Sequence, residues 1–409
     1  MPVPTYGHRM WGVSMHERRA YRHARRAERW LAAALLLAAP AAARAAIVLS
    51  ANDGHTVLGP SMSLSAAPSP VPDTLSVIDL TDAAPRIAAT IEVPTSVVGP
   101  PTAVWVAPDE SWAIVTAANR ADPSAPSGLA ADDLVSVIDL TAKPPRIVQQ
   151  VHAGAGATTV RVSPDGTLAL ICNRVAGTVS VFSVHDRRLT DVGPVMLAPH
   201  AGPGGLVFSA DGRFALVSRF FDNQISVLHI DGLQVTVDPR PLTAGVAPYT
   251  MDVTADGRVA AVANMGRGDG DADTVSFIDM KADPPRVVAT HSVGQTPEGI
   301  AFSHDGRILA TALINGTNRP KDAPGWHAAG RLVLWTITPQ FGLELLAEAP
   351  IGRWSQGVAF SPGGRLVFVQ NMVEHTISVF RFDGRTLTPG APLSTGGAGP
   401  AAIGQAATR

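Results

Sequence analysis

The strongest chemical pattern in the chain is one carboxylate set among arginines. Glu298 is the second residue of the run P-E-G-I-A-F (297–302), while Arg120, Arg174, Arg219 and Arg353 stand near the ends of related runs. A carboxylate beside guanidinium groups is expected to stay ionised and to be able to serve as a general base. Several guanidinium groups together bind an anion by charge-assisted hydrogen bonds, or steady a developing oxyanion. Glu298 and Arg219 are therefore the candidate catalytic pair. Arg120, Arg174, Tyr249, Asn264, Asn315, Arg353 and Gln356 are candidate ligand contacts. Each has a plainer alternative. The asparagines can satisfy backbone groups at strand ends, and Glu298 can pair with a neighbouring arginine.

Other chemistry is thin. There is no G-x-S-x-G elbow and no Gly-rich phosphate loop. Histidines 152, 185, 200, 229, 291, 304, 327 and 375 lack zinc-like spacing. Asp269-x-Asp271-x-Asp273 offers alternating oxygens, but the twelfth position, where a calcium loop has Glu, is Met280. The expectation is a solvated acidic loop, with no metal and no cofactor. The single cysteine, Cys172, permits neither an internal disulfide nor a thiolate cluster, and its apolar run (168–172) marks it as a core residue.

The first 45 residues read as an export signal. Arg18, Arg19, Arg22, Arg25, Arg26 and Arg29 form a basic stretch, Trp30–Ala39 a short apolar core, and Ala43-Arg44-Ala45 a small-residue cleavage site. Met15 is a candidate true start, and Arg25-Arg26 a weak twin-arginine signal. The apolar core is shorter than the ~20 residues a membrane span needs. Residues 46–409 then carry 32 − 8 = 24 basic and 34 − 2 = 32 acidic side chains, a net charge of −8. That balance argues against nucleic acid as a partner. The expected location is the periplasm or the cell exterior, with no membrane span after cleavage.

The elements that must position the candidates form a repeat. Turns occur at Asn52-Asp53-Gly54, Pro108-Asp109-Glu110, Pro164-Asp165-Gly166, Ala210-Asp211-Gly212, Ala255-Asp256-Gly257, His304-Asp305-Gly306 and Pro362-Gly363-Gly364. They lie roughly 45–58 residues apart, a spacing typical of propellers and solenoids. Each is followed by a strand: L-S-V-I-D (75–79), V-S-V-I-D (135–139), V-S-V-F-S (179–183), I-S-V-L-H (225–229), V-S-F-I-D (275–279), L-V-L-W-T (332–336) and I-S-V-F-R (377–381). Alternating apolar residues on both sides of each turn make strands, and Asp-Gly makes the turn. The pattern predicts an all-β, seven-bladed β-propeller of four-stranded antiparallel blades over residues 46–409. Its first blade is expected to start at Ile47 with the Asp53-Gly54 turn between strands one and two. The tail A-G-P-A-A-I (398–403) resembles the start of an inner strand, so the two ends are expected to share the closing blade.

In such a blade the turns between strands one and two, and three and four, lie on one face. The loops between strands two and three lie on the other. That second face collects the long loops 120–133, 265–273 and 316–330, so any site is expected there, at the mouth of the central channel.

The runs L-I-C-N (170–173), A-V-A-N (261–264), A-L-I-N (312–315) and F-V-Q-N (368–371) resemble those of the YVTN-repeat β-propellers. More distantly the chain is similar to the seven-bladed lactonase family that includes 6-phosphogluconolactonases. The resemblance spans roughly residues 47–403. It implies the propeller fold and, through the second family, hydrolysis of a lactone. Three readings follow. The first is an exported scaffold that binds a small-molecule anion or a protein partner on the long-loop face. The second is a lactonase-like hydrolase at the channel mouth. The third is an accessory subunit of a periplasmic redox enzyme.

Overall fold

A computed structural model describes residues 1–2, 47–59, 63–81 and 84–406. The export-signal reading and residues Asp82-Ala83 of the turn at 81–85 lie outside the described residues. Described secondary structure is all β, in seven antiparallel blades and two small ribbons. No helix among the described residues is long and apolar enough to cross a membrane.

Blade three shows the plan. Its strands are Ala157–Val162, Leu168–Asn173, Thr178–His185 and Arg188–Met196, paired in that order from the innermost outward. The second strand is buried at every position, whereas the outer strand of blade two, Arg146–His152, alternates exposed and half-buried. The difference follows from packing. Middle strands are covered on both faces by neighbouring blades, while an outer strand meets solvent at its edge. Seven apolar clusters then join the blades pairwise. Leu168, Leu170, Leu206 and Phe208 link blades three and four, and Val48, Ile78, Phe368 and Val379 link blade seven to blade one.

The inner turns repeat one hydrogen-bond pattern. The Ser or Thr just after each inner strand holds the turn aspartate: Ser163–Asp165, Ser209–Asp211, Thr254–Asp256 and Ser303–Asp305, at 2.5–2.7 Å. Glycine follows the aspartate with φ between 63° and 76° in these four turns, a conformation that other residues adopt at a cost.

Blade one departs from the expected layout. Its innermost strand is Gly399–Gln405, and Ile47–Asp53 is its second, pairing on the other side with Thr74–Asp79. Asp53-Gly54 is therefore not an inner turn. It lies where strand two leaves the blade, on the long-loop side. The loop at 120–133 is likewise more ordered than expected, since Asn119–Ala121 pairs with Leu129–Ala131.

Candidate functional site

The run of asparagines is structural. Asn173 closes strand two of blade three. Its Nδ2 donates to Thr178 Oγ1 (2.8 Å) and Ser180 Oγ (2.9 Å), and its Oδ1 accepts from the Gly154 N–H. Asn371 repeats all three bonds with Thr376, Ser378 and Gly352. Asn264, a candidate ligand contact, spends its Nδ2 on Thr274 and Ser276 in the same way. Such bonds satisfy buried groups where the ladder ends.

Two candidates are misplaced by the sequence pattern. Strand two of blade six ends at Leu313, which pairs with Pro297 as Asn173 pairs with Ala157. Asn315 lies two residues further on, in a left-handed turn (φ 54°), and donates to Ala329 O. Arg219 takes the asparagine position of blade four, opposite Pro203 and Gln224. It is buried, donates toward Ser226 Oγ and forms an ion pair with Asp222. The guanidinium donates to Ser226 as the asparagine Nδ2 of other blades donates to the matching serine, but it has no acceptor to offer a backbone N–H, and Asp222 takes up its charge. Arg353 is also committed, bonding Glu374 at 2.7 Å on the surface. Arg120 is exposed and donates to Ala131 O across its ribbon. These arginines do not converge as an anion site.

Arg174, Tyr249, Glu298 and Gln356 do gather near the axis. Tyr249, Glu298 and Gln356 are the second residues of the inner strands of blades five, six and seven, Pro248–Val253, Pro297–Phe302 and Ser355–Phe360. Arg174 follows the last residue of strand two of blade three. Its guanidinium carbon lies 4.3 Å from the centre of Phe220, 4.9 Å from Phe221 and 5.5 Å from Tyr249. Three rings thus hold one cation. Its Nη1 is buried and has no hydrogen-bond partner, and neither has Oε1 of Gln356.

Glu298 is only 4 % exposed. Burial raises its pKa from 4.5 to about 8, opposed by the charge of Arg174. The expectation of a permanently ionised base is corrected: desolvation outweighs the single arginine within reach. Tyr249 is held protonated, mainly by burial and then by Glu298.

One side of this cluster is covered. Val97, Ile314, Trp354, Met372 and Ala401 pack together at the long-loop end of blades one, two, six and seven. Beside Arg174, the exposed side chains Val175, Phe221 and Val246 mark the ends of blades three, four and five. Of these, Phe221 lies over the Arg174 guanidinium, whose Nη1 is buried and unpaired.

Two acidic groupings complete the picture. Asp269, Asp271 and Asp273 do not come together as ligands. Asp273 instead takes the Thr296 N–H (2.8 Å), and burial raises its pKa to about 6. Asp53, His55 and Asp73 do meet near the exit of blade one, with ligand atoms within 4.8 Å of one another. Their geometry is that of a clasp. Asp53 accepts the N–H groups of His55, Thr56 and Val97, and Asp73 those of Gly54 and Thr95. His55 Nδ1 reaches Asp73 at 2.8 Å, and Nε2 faces Asn119 Oδ1 at 3.2 Å. Burial works against a charged ring, but the hydrogen bond to Asp73 and the charges of Asp53 and Asp73 raise its pKa from 6.5 to about 9. Sequence reading passed over His55 because it took the Asp-Gly here for an inner turn. The signal was present, since V-L-S-A-N (48–52) has the strand-two ending of the other blades.

Comparison with known proteins agrees with this architecture. Residues 130–319 match the family model described as Lactonase, 7-bladed beta-propeller. No curated protein sequence matches the chain. A putative 6-phosphogluconolactonase from Bacteroides fragilis superposes with a TM-score of 0.67 at 14% identity, covering 89% of this chain and 99% of that one. The periplasmic gluconolactonase of Pseudomonas aeruginosa superposes with a TM-score of 0.61 at 19% identity, over 86% and 98% of the two chains. The chain is thus similar to lactonase-type propellers, and at these identities the structural likeness is one of fold.

Proposed function

We propose that the protein hydrolyses a lactone at the Arg174–Tyr249–Glu298 cluster. One observation carries the proposal: the buried, unpartnered Nη1 of Arg174 shares the axis end with a carboxyl poised at about 8. The partial match to the lactonase family model supports it. The lactone carbonyl oxygen lies against Nη1, and the rest of the ring rests on Phe221 and Val175. Glu298, as carboxylate, takes the proton of an attacking water. Negative charge builds on the carbonyl oxygen and is held by Arg174 in a site with little water. The ring C–O bond then breaks, and the ring oxygen takes the proton back from Glu298 and leaves as the hydroxyl of a hydroxy acid. A base with a pKa near the working pH suits this step.

The test is a pH-stat assay of the chain from Ala46 against sugar and aliphatic lactones. Turnover is expected to rise with pH through about 8. Glu298→Gln and Arg174→Met should each lower it by about 10²-fold or more. Arg353→Ala, whose partner is a surface glutamate, should leave it unchanged. Turnover that survives Glu298→Gln would overturn the assignment. Absence of turnover across the panel would return the protein to the reading as an exported binding scaffold.

A further inference from the structure

A cavity of about 600 Å³ occupies the opposite end of the axis, on the face of the inner turns. It extends from the Trp105 and Pro164 level to a floor at Thr250, Gly299 and Gly357. Its volume lies in the range of small-molecule sites, which are mostly apolar with a few convergent polar groups. The walls fit that description: Val162, Phe208, Phe302 and Ile403 are among them.

Two opposite charges face this lumen. Arg161 and Asp252 hold the same position in the inner strands of blades three and five, where the other blades have Trp105, Val207, Ala301, Ala359 and Gly404. Apart from His304, no other titratable side chain lines the cavity. Each is anchored to backbone. Arg161 Nη1 donates to Val160 O (2.9 Å) and Thr102 O (3.3 Å). Asp252 Oδ2 accepts the Phe302 N–H (2.7 Å), and the carboxylate accepts the Val253 N–H as well. Neither has an ion-pair partner among the described residues; burial raises the pKa of Asp252 and lowers that of Arg161, and each shift is opposed by the other's charge. A neutral amide would make the same backbone bonds without the desolvation cost of a full charge. The charges therefore point to something that enters the cavity.

We propose that this cavity is a second binding site, for a small zwitterionic molecule with an apolar body. Its carboxylate pairs with the free edge of the Arg161 guanidinium, and its ammonium group with Asp252. The apolar body lies against Phe208 and Phe302. A guanidinium fork suits a carboxylate, and a ligand with both charges leaves neither protein group unpaired.

The test uses the full chain and three probes in calorimetry and thermal-shift titrations: phenylalanine, N-acetylphenylalanine and phenylalaninamide. Phenylalanine should bind about tenfold more tightly than either blocked form, the effect of losing one charge-assisted hydrogen bond. Asp252→Asn keeps an acceptor for the Phe302 N–H and should erase the advantage over N-acetylphenylalanine. Arg161→Met should erase the advantage over phenylalaninamide. Glu298→Gln should leave phenylalanine binding unchanged, which separates this site from the lactone site. Equal binding of the zwitterion and a blocked form would overturn the proposal, as would no binding of any probe.

Discussion

The clasp at His55 makes alkaline pH a structural stress. His55 is 6 % exposed and lies 2.8 Å from Asp73 Oδ1 and 3.2 Å from Asp53 Oδ1. Its pKa is raised from 6.5 to about 9. The largest single influence is burial, which lowers it; the hydrogen bond to Asp73 and the charges of Asp53 and Asp73 together overcome burial. A folded pKa above the unfolded one means that the proton binds the folded state more tightly. The stability it contributes is full below pH 6.5 and is lost as pH rises through 9. The shift corresponds to about 3 kcal/mol. The perturbation is His55→Gln, which keeps hydrogen-bonding atoms but cannot carry the charge. Urea unfolding of both proteins at pH 6 and pH 10 gives the assay. The wild-type advantage should shrink by about 3 kcal/mol between the two. Other titrating groups, Glu298 among them, are common to both proteins and cancel in the difference. An advantage that stays constant with pH would refute the reasoning, because the clasp would then not depend on the proton.

Three further outcomes follow from named contacts. Glu298→Gln should make stability less sensitive to alkali, because burial raises this pKa from 4.5 to about 8 and the associated stability is present below 4.5 and lost through 8; urea midpoints at pH 5 and pH 9 report it. Asn173→Ala should cost about 1–3 kcal/mol, since it strips the Gly154 N–H of its acceptor. Asn264→Ala should cost less, because its Oδ1 holds no donor, and parallel thermal melts compare the two. Gly299→Ala would set a Cβ 2.4 Å from the Gln356 carbonyl oxygen, so the inner strands of blades six and seven must part; a destabilisation of about 1–3 kcal/mol is expected by calorimetry.

The repeat was legible because turns and strands carry their own chemistry. Asp-Gly needs a turn, and V-S-V-I-D needs two buried faces. Blade count and the strand order of blades two to seven could be read from those alone. The register of individual residues could not. Arg219 looks like a ligand until it is seen in the asparagine position, opposite Gln224 and bonded to Ser226 and Asp222. Asn315 sits in an asparagine motif, but a two-residue offset gives it another partner. The charge state of Glu298 was beyond the sequence for a different reason. Its neighbours in the chain are Pro297 and Gly299, while the groups that decide its ionisation come from other blades. Arg161 and Asp252 were visible as charges inside apolar inner strands, but only the ring brings them to one lumen.

The two ends of the axis should act independently. Between them the inner strands of blades four, six and seven carry glycine with no room for a side chain, and Thr159 and Thr250 fill the same level in blades three and five. A Cβ on Gly205 would lie 2.4 Å from Tyr249 O, one on Gly299 2.4 Å from Gln356 O, and one on Gly357 2.6 Å from Ile403 Cγ2. Tyr249, Glu298 and Gln356 lie just before this level in their strands, and Asp252 lies after it. A ligand at Arg161 and Asp252 therefore rests on this glycine and threonine level rather than on the Glu298 carboxyl. Substitutions at separate sites with no shared partner usually add in free energy. Additivity is then the expected relation between Asp252→Asn and Glu298→Gln in both stability and ligand binding. A coupling between them would mean that the glycine level moves, and that the axis transmits what binds at one end to the other.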